Sequence, residues 1–194
     1  MTFAALTHRL SRLLKHHIAF GPLRPVLGGC VVVAAAMALG TDKYLGLGIP
    51  VIVDAFHNPL PAYDFAGKAA FTIVTLASGF KGGEVTPLFY IGATLGNALG
   101  YVLPLPFPLL AGLGFVAVFA GAANTPIAST LMAMELFGPE VGTFAGIACV
   151  VSYLFSGHTG IYHAQRIGHA KRPSEPEPVG QPSTESASAE RAQP

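Results

Sequence analysis

Between residues 85 and 134 the chain carries no Asp, Glu, Lys or Arg, and residues 141–165 form a second stretch without them. Each helical crossing of a bilayer core demands ~20 largely apolar residues, and these runs supply that length. A soluble fold would need an implausibly large core to hide them. The sequence therefore predicts an all-α polytopic membrane protein with the lipid bilayer as its surroundings. Composition points the same way: 11% of residues are charged and mean hydropathy is +0.54, whereas soluble domains carry about 25% charged residues. A net charge of +1 leaves no basic footprint for nucleic acid.

Glycine and proline cut the apolar runs into short pieces. Residues 1–21 hold Arg9, Arg12, Lys15 and several histidines among leucines at helical spacing, a basic amphipathic segment suited to a membrane surface or a solvated helix end. Helices are expected from Pro25 to about Leu39, briefly across Tyr44–Ile52, and over Asp64–Ala77, where Lys68 is expected to snorkel to the headgroups. Further helices are expected over Pro87–Leu103, Leu109–Ala122, Ile127–Leu136 and Val141–Phe155. Cys30 and Cys149 sit singly in apolar segments and read as small core residues. Residues 169–194, rich in Pro, Ser, Glu and Ala, are expected to form a disordered tail. Basic groups at both ends place the termini in the cytoplasm and the chain in the cell membrane.

The chemistry concentrates where a glycine turn meets a helix start, at Gly82-Gly83-Glu84-Val85-Thr86-Pro87. Thr86 is a fair N-cap and Pro87 suits the first helical turn, so the helix is expected to begin near Thr86. Free N–H groups and the positive dipole end of a helix start attract an anion, and glycines let the backbone approach it. Interrupted helices with such ends inside the membrane are the pattern of transporters. Glu84 has two readings: a carboxylate that satisfies its own helix's amides, or a group that exchanges protons beside an anion site. In the central helix Gly92, Gly96 and Gly100 lie four apart on one face and permit close approach of a neighbour. Asn124-Thr125-Pro126 repeats the polar-then-proline start, and Glu135 is expected to serve structure by bonding a neighbouring helix start. Tyr162 reads as an interfacial anchor or as a hydroxyl donor to an anion.

Enzyme chemistry finds no support. Lys81 is followed by glycine, which defeats a phosphate-loop reading, and neither a zinc-spaced His/Glu pair nor a nucleophile elbow occurs. No metal and no cofactor is expected.

The segment from Gly79 through Gly96 resembles the helix N filter segment of the CLC family of chloride channels and anion/proton antiporters. Ala120 through Ala128, Met134-Glu135-Leu136 and Gly157 to Tyr162 resemble the helices that follow it and the pore-facing tyrosine. The likeness covers residues 22–168. It implies transport of a small halide ion, with the backbone amides of Glu84 and Val85 facing a central anion site and the Tyr162 hydroxyl contacting it. Glu84 followed by Val85-Thr86 is similar to the fluoride/proton antiporter branch, which adds fluoride to chloride as a substrate and proton coupling to the mechanism. A homodimer formed partly through Thr125 to Phe155 is implied as well.

The likeness extends to only the second of the family's two inverted halves. The segment with the gating glutamate and the one with the other filter serine have no counterpart, so the site is expected to be at most half built. Two readings follow: a CLC-type transport protein or its C-terminal half, and a non-transporting membrane fragment that packs with a partner subunit or a complementary first-half polypeptide.

Overall fold

The computed structural model describes residues 2–18, 20–80 and 82–157. These residues form α1 (Thr2–His17), α2 (Leu23–Leu39), α3 (Ile49–Asp54), α4 (Asp64–Ala77), α5 (Val85–Leu99), α6 (Phe107–Ala123), α7 (Pro126–Phe137) and α8 (Gly142–Phe155). One turn of 3-10 helix, Pro139–Val141, leads into α8. The interval expected to be helical from Tyr44 is instead a turn up to Gly48, with α3 following it. The expected tail lies outside the described residues, as do Lys81, His158 and Tyr162.

Helix ends follow local chemistry. Gly40 stops α2 in the left-handed conformation (φ 62°) and returns its N–H to the carbonyls of Ala36 and Met37. Asn124 does the same for α6 at φ 58°, the one described non-glycine residue with positive φ, its N–H bonded to Ala120 O. Asparagine tolerates that region better than other side chains do, and Pro126 then begins α7 in its first turn.

Helices α5 and α6 form the centre. Helices α7 and α8 pack on the α6 side, whereas α3 and α4 pack against α5, with α1 and α2 resting on α4. The buried seams are lined by small side chains: Ala120, Ala133, Ala145 and Cys149 between α6, α7 and α8, and Ala55, Ala93 and Ala111 where α3 meets α5 and α6. Small residues are what membrane helices use for close packing, because lipid gives large apolar side chains no reason to turn inward. Large ones accordingly face out, as with Met37 (78% exposed) on α2 and Ile127 (77%) on α7.

Gly92 and Gly96 of α5 meet α6 backbone directly. A methyl group on Gly96 would overlap the Leu110 carbonyl, and one on Gly92 would overlap that of Gly114. Gly100, at the end of α5, faces the Phe107 ring instead. Above this seam Phe89 stacks on Phe115 with centroids 4.1 Å apart and planes within 5°.

No helix of the described residues is long and apolar enough to cross a membrane by itself. At 1.5 Å per residue the 17-residue α2 and α6 reach about 25 Å, short of a ~30 Å hydrocarbon core. The uncharged runs are thus broken into shorter helices than their length suggests, because Pro104, Pro106, Asn124 and Gly138 interrupt them.

Two expectations about side chains are corrected. Lys68 does not reach outward: it is 2% exposed, since its face of α4 turns toward the Tyr44–Gly46 turn, whose carbonyls solvate it. Cys149 is buried, but Cys30 is exposed, because α2 turns Val32, Ala35 and Ala36 toward the Tyr44–Phe71–Tyr90 cluster and leaves the face of Cys30 open.

Candidate functional site

The start of α5 differs from the sequence expectation by about one residue. The helix begins at Val85 with Glu84 at the N-cap, and Thr86 and Pro87 lie inside its first turn. Its first backbone hydrogen bond runs from Leu88 N–H to the Glu84 carbonyl at 3.3 Å. Glu84 makes no side-chain capping bond, so the reading in which it satisfies its own helix's amides is not realised. The cause is its backbone: at φ −89°, ψ −16° Glu84 is already helical, whereas a capping side chain needs an extended backbone to fold back onto the second and third amides. The half-buried carboxylate has no hydrogen-bond partner among the described residues.

Gly82 and Gly83 precede it as exposed backbone with open space where their side chains would be. Together with Pro87 they line a cavity of about 410 Å³. Its opposite walls come from Gly29 of α2, the Tyr44–Leu47 turn, and Lys68 and Thr72 of α4. Glu84, Val85 and Thr86 fall outside this lining.

Thr72 and Thr75 donate their hydroxyls to carbonyls four residues back, of Lys68 and Phe71. They offer oxygen lone pairs, not protons. Lys68 donates from Nζ to the carbonyls of Tyr44 (2.9 Å) and Gly46 (2.7 Å), and its Nζ lies 5.1 Å from the Tyr90 ring centroid. The nearby carboxylate, Asp64 at 1% exposure, accepts from Lys43 at 2.6 Å and from the Tyr44 hydroxyl at 2.9 Å. The cavity therefore presents the Lys68 ammonium among carbonyl and hydroxyl oxygens on the α4 side and open glycine backbone on the side that leads into α5.

Of the other residues singled out by sequence, Gly92 and Gly96 belong to the α5–α6 seam, and Asn124 ends α6. Glu135 is exposed near the end of α7 and bonds no helix start among the described residues, because it lies on an open face of the helix. Tyr162 lies outside the described residues.

Two features escaped the sequence reading. Asn97, fully buried on α5, donates to the carbonyls of Ala55 (2.7 Å) and Asn58 (2.8 Å) and accepts the Leu60 N–H (2.8 Å), which ties the α3–α4 connection to the central helix. A carboxamide within an uncharged apolar helix was the available signal, since such a group must find partners. The Lys43–Tyr44–Asp64 cluster gave none, because its members are 20 and 21 residues apart.

The family model described as voltage gated chloride channel matches residues 1–157. The chain is 61% identical over 177 residues to a chloride/fluoride channel protein of Pseudomonas syringae pv. tomato, covering 88% of this chain and 39% of that protein. It is 32% identical over 148 residues to a voltage-gated ClC-type chloride channel ClcB of Escherichia coli, with 70% and 35% covered. The crystal structure of a CLC-type fluoride/proton antiporter superposes with a TM-score of 0.76 at 36% identity, over 80% of this chain and 40% of that one. The chain thus spans about two-fifths of the length of these relatives. With the family match running through all eight helices, the chain belongs to the voltage-gated chloride channel family, a family of integral membrane proteins.

Proposed function

We propose that this chain supplies the anion-binding C-terminal half of a CLC-type pathway that carries a small halide, chloride or fluoride, across the cell membrane. The observation that carries the reading is the start of α5: a helix N-terminus without a side-chain cap, preceded by open glycine backbone and bearing a carboxylate with no partner among the described residues. In this reading the amides at Glu84 and Val85 hold the anion, Thr86 borders it and the Tyr162 hydroxyl completes the shell. Glu84 exchanges a proton with the site, because an ionised carboxylate repels a neighbouring halide and a protonated one does not. The relatives named as a chloride/fluoride channel and as a fluoride/proton antiporter support both the halide and the coupling.

The chain works as a homodimer through α7 and α8, or with a complementary first-half polypeptide, and its termini face the cytoplasm. Residues 22–168 are the transport domain, residues 1–21 an amphipathic approach to the membrane and residues 169–194 a tail. The competing reading, a non-transporting fragment that packs with a partner, draws support from the share of each relative's length that the chain spans, 39% for the Pseudomonas protein.

Efflux of chloride and of fluoride from liposomes holding only the purified chain separates the two. Transport that loses its pH dependence in Glu84→Gln supports the proton-exchanging site. Silence for both halides in a folded, inserted chain that persists when a first-half polypeptide is added supports the fragment reading, whereas flux restored by that addition supports the half-pathway. A Glu84→Gln flux with unchanged pH dependence removes Glu84 from the mechanism.

A further inference from the structure

We infer that Lys68 forms an anion subsite of its own in the cavity beside the start of α5, holding a small monovalent anion by its ammonium. The inference deepens the transport reading above and rests on it. Lys68 is 2% exposed, and two of its N–H groups are spent on the Tyr44 and Gly46 carbonyls. An ammonium has three donors. No described oxygen accepts the third; the Tyr90 ring, 5.1 Å from Nζ, faces the ammonium on one side, and Lys68 lines the cavity.

Carbonyl dipoles solvate an ammonium without neutralising it, and a buried charge lacking a counter-charge is among the costliest arrangements in a protein. The carboxylate one turn earlier on α4 does not serve: Asp64 is occupied by Lys43 and Tyr44, and it forms no ion pair with Lys68. What selects an anion is the Lys68 charge itself, since the Thr72 and Thr75 oxygens and the Tyr44 and Gly46 carbonyls around it bring no counter-charge. Its volume of about 410 Å³ far exceeds that of a bare halide and leaves space for several waters, each of which occupies about 30 Å³ in the liquid. The subsite therefore takes a partly hydrated halide on its way to or from the α5 terminus.

The test uses the full 194-residue chain in detergent micelles. Melting is followed against chloride and against fluoride, with gluconate holding ionic strength constant, for wild type, Lys68→Met and Lys68→Arg. The subsite predicts that Lys68→Met raises the half-saturating halide concentration at least tenfold, whereas Lys68→Arg changes it less than threefold. Halide stabilisation that survives Lys68→Met unchanged overturns the subsite and leaves the transport reading standing. Melting of the wild type that ignores both halides overturns the subsite, while the transport reading is decided by the efflux measurement above. Should Lys68→Met not fold, reductive methylation of wild-type Lys68 is quantified by mass spectrometry instead. Halide must slow it severalfold relative to gluconate, and a rate indifferent to halide overturns the subsite.

Discussion

Lys43 reaches across from the α2–α3 connection to place Nζ 2.6 Å from Oδ1 of Asp64, the first residue of α4. The same oxygen accepts the Tyr44 hydroxyl at 2.9 Å. One carboxylate thus fixes two consecutive residues of the turn whose carbonyls hold Lys68.

This pairing sets a pH dependence. Burial works against the Lys43 charge, but the hydrogen bond and the charge of Asp64 outweigh it and raise the ammonium above its ordinary 10.5. Burial, followed by Asp64, also raises the Tyr44 hydroxyl above 10.0. Both groups hold their protons more tightly folded than unfolded, so their contribution is full below pH 10 and falls as pH rises through the folded values. Melting in detergent is expected to be flat from pH 8 to about 10 and to decline above it, with a shallower decline in Lys43→Met. At neutral pH that variant should lose roughly 1–2 kcal/mol, less than the ~3–5 of a fully buried pair, because the Lys43 side chain keeps 27% exposure. A wild-type curve that stays flat to pH 11.5 contradicts the assignment.

The sequence exposed some of this architecture and concealed the rest for identifiable reasons. Helix α4 has the predicted bounds because Pro59 and Pro61 stand before it and Gly79 after it. The start of α5 was read one residue late, since Thr86-Pro87 looks like a cap and first residue, yet proline fits anywhere in a first turn where no N–H is needed. The burial of Lys68 was hidden because its partners are main-chain carbonyls 22 and 24 residues earlier, which leave no mark on side-chain pattern. Residues 79 to 96 carried the family likeness, whereas periodicity alone offered only membrane helices with an anion-friendly end.

The α5–α6 seam predicts a sharp steric asymmetry. Gly96→Val drives a branched side chain into the Leu110 carbonyl, and backbone, unlike a side chain, cannot rotate away. The cost should reach roughly 3 kcal/mol or more and show as loss of the monodisperse peak on size-exclusion chromatography. Gly82→Ala meets open space and should elute as wild type. Equal behaviour of the two variants would falsify the seam.

Asn97→Leu keeps the volume and deletes three hydrogen bonds, which orphans the carbonyls of Ala55 and Asn58 and the Leu60 N–H. Each buried orphan costs ~1–3 kcal/mol, and the exposed flanks of residues 57–59 let water recover part of that. We expect a net loss of about 3 kcal/mol and faster proteolytic cleavage between α3 and α4. Cleavage at the wild-type rate means that the connection does not depend on Asn97.

Ser129 and Thr130, adjacent on α7, predict opposite responses to loss of a hydroxyl. Thr130 donates to the Pro126 carbonyl at 2.8 Å. The Ser129 hydroxyl, at 1% exposure, has no partner among the described residues, and neither has that of Thr125 one turn before it. Removing an unsatisfied buried hydroxyl removes its desolvation penalty together with little packing, so Ser129→Ala should leave stability unchanged or raise it by up to ~1 kcal/mol. Thr130→Val, which keeps the shape and deletes a made bond, should cost about 1 kcal/mol. Melting of the two variants side by side checks the contrast. A destabilised Ser129→Ala would show that its hydroxyl is satisfied in the membrane-embedded protein, by a bound water or by a group from a partner chain.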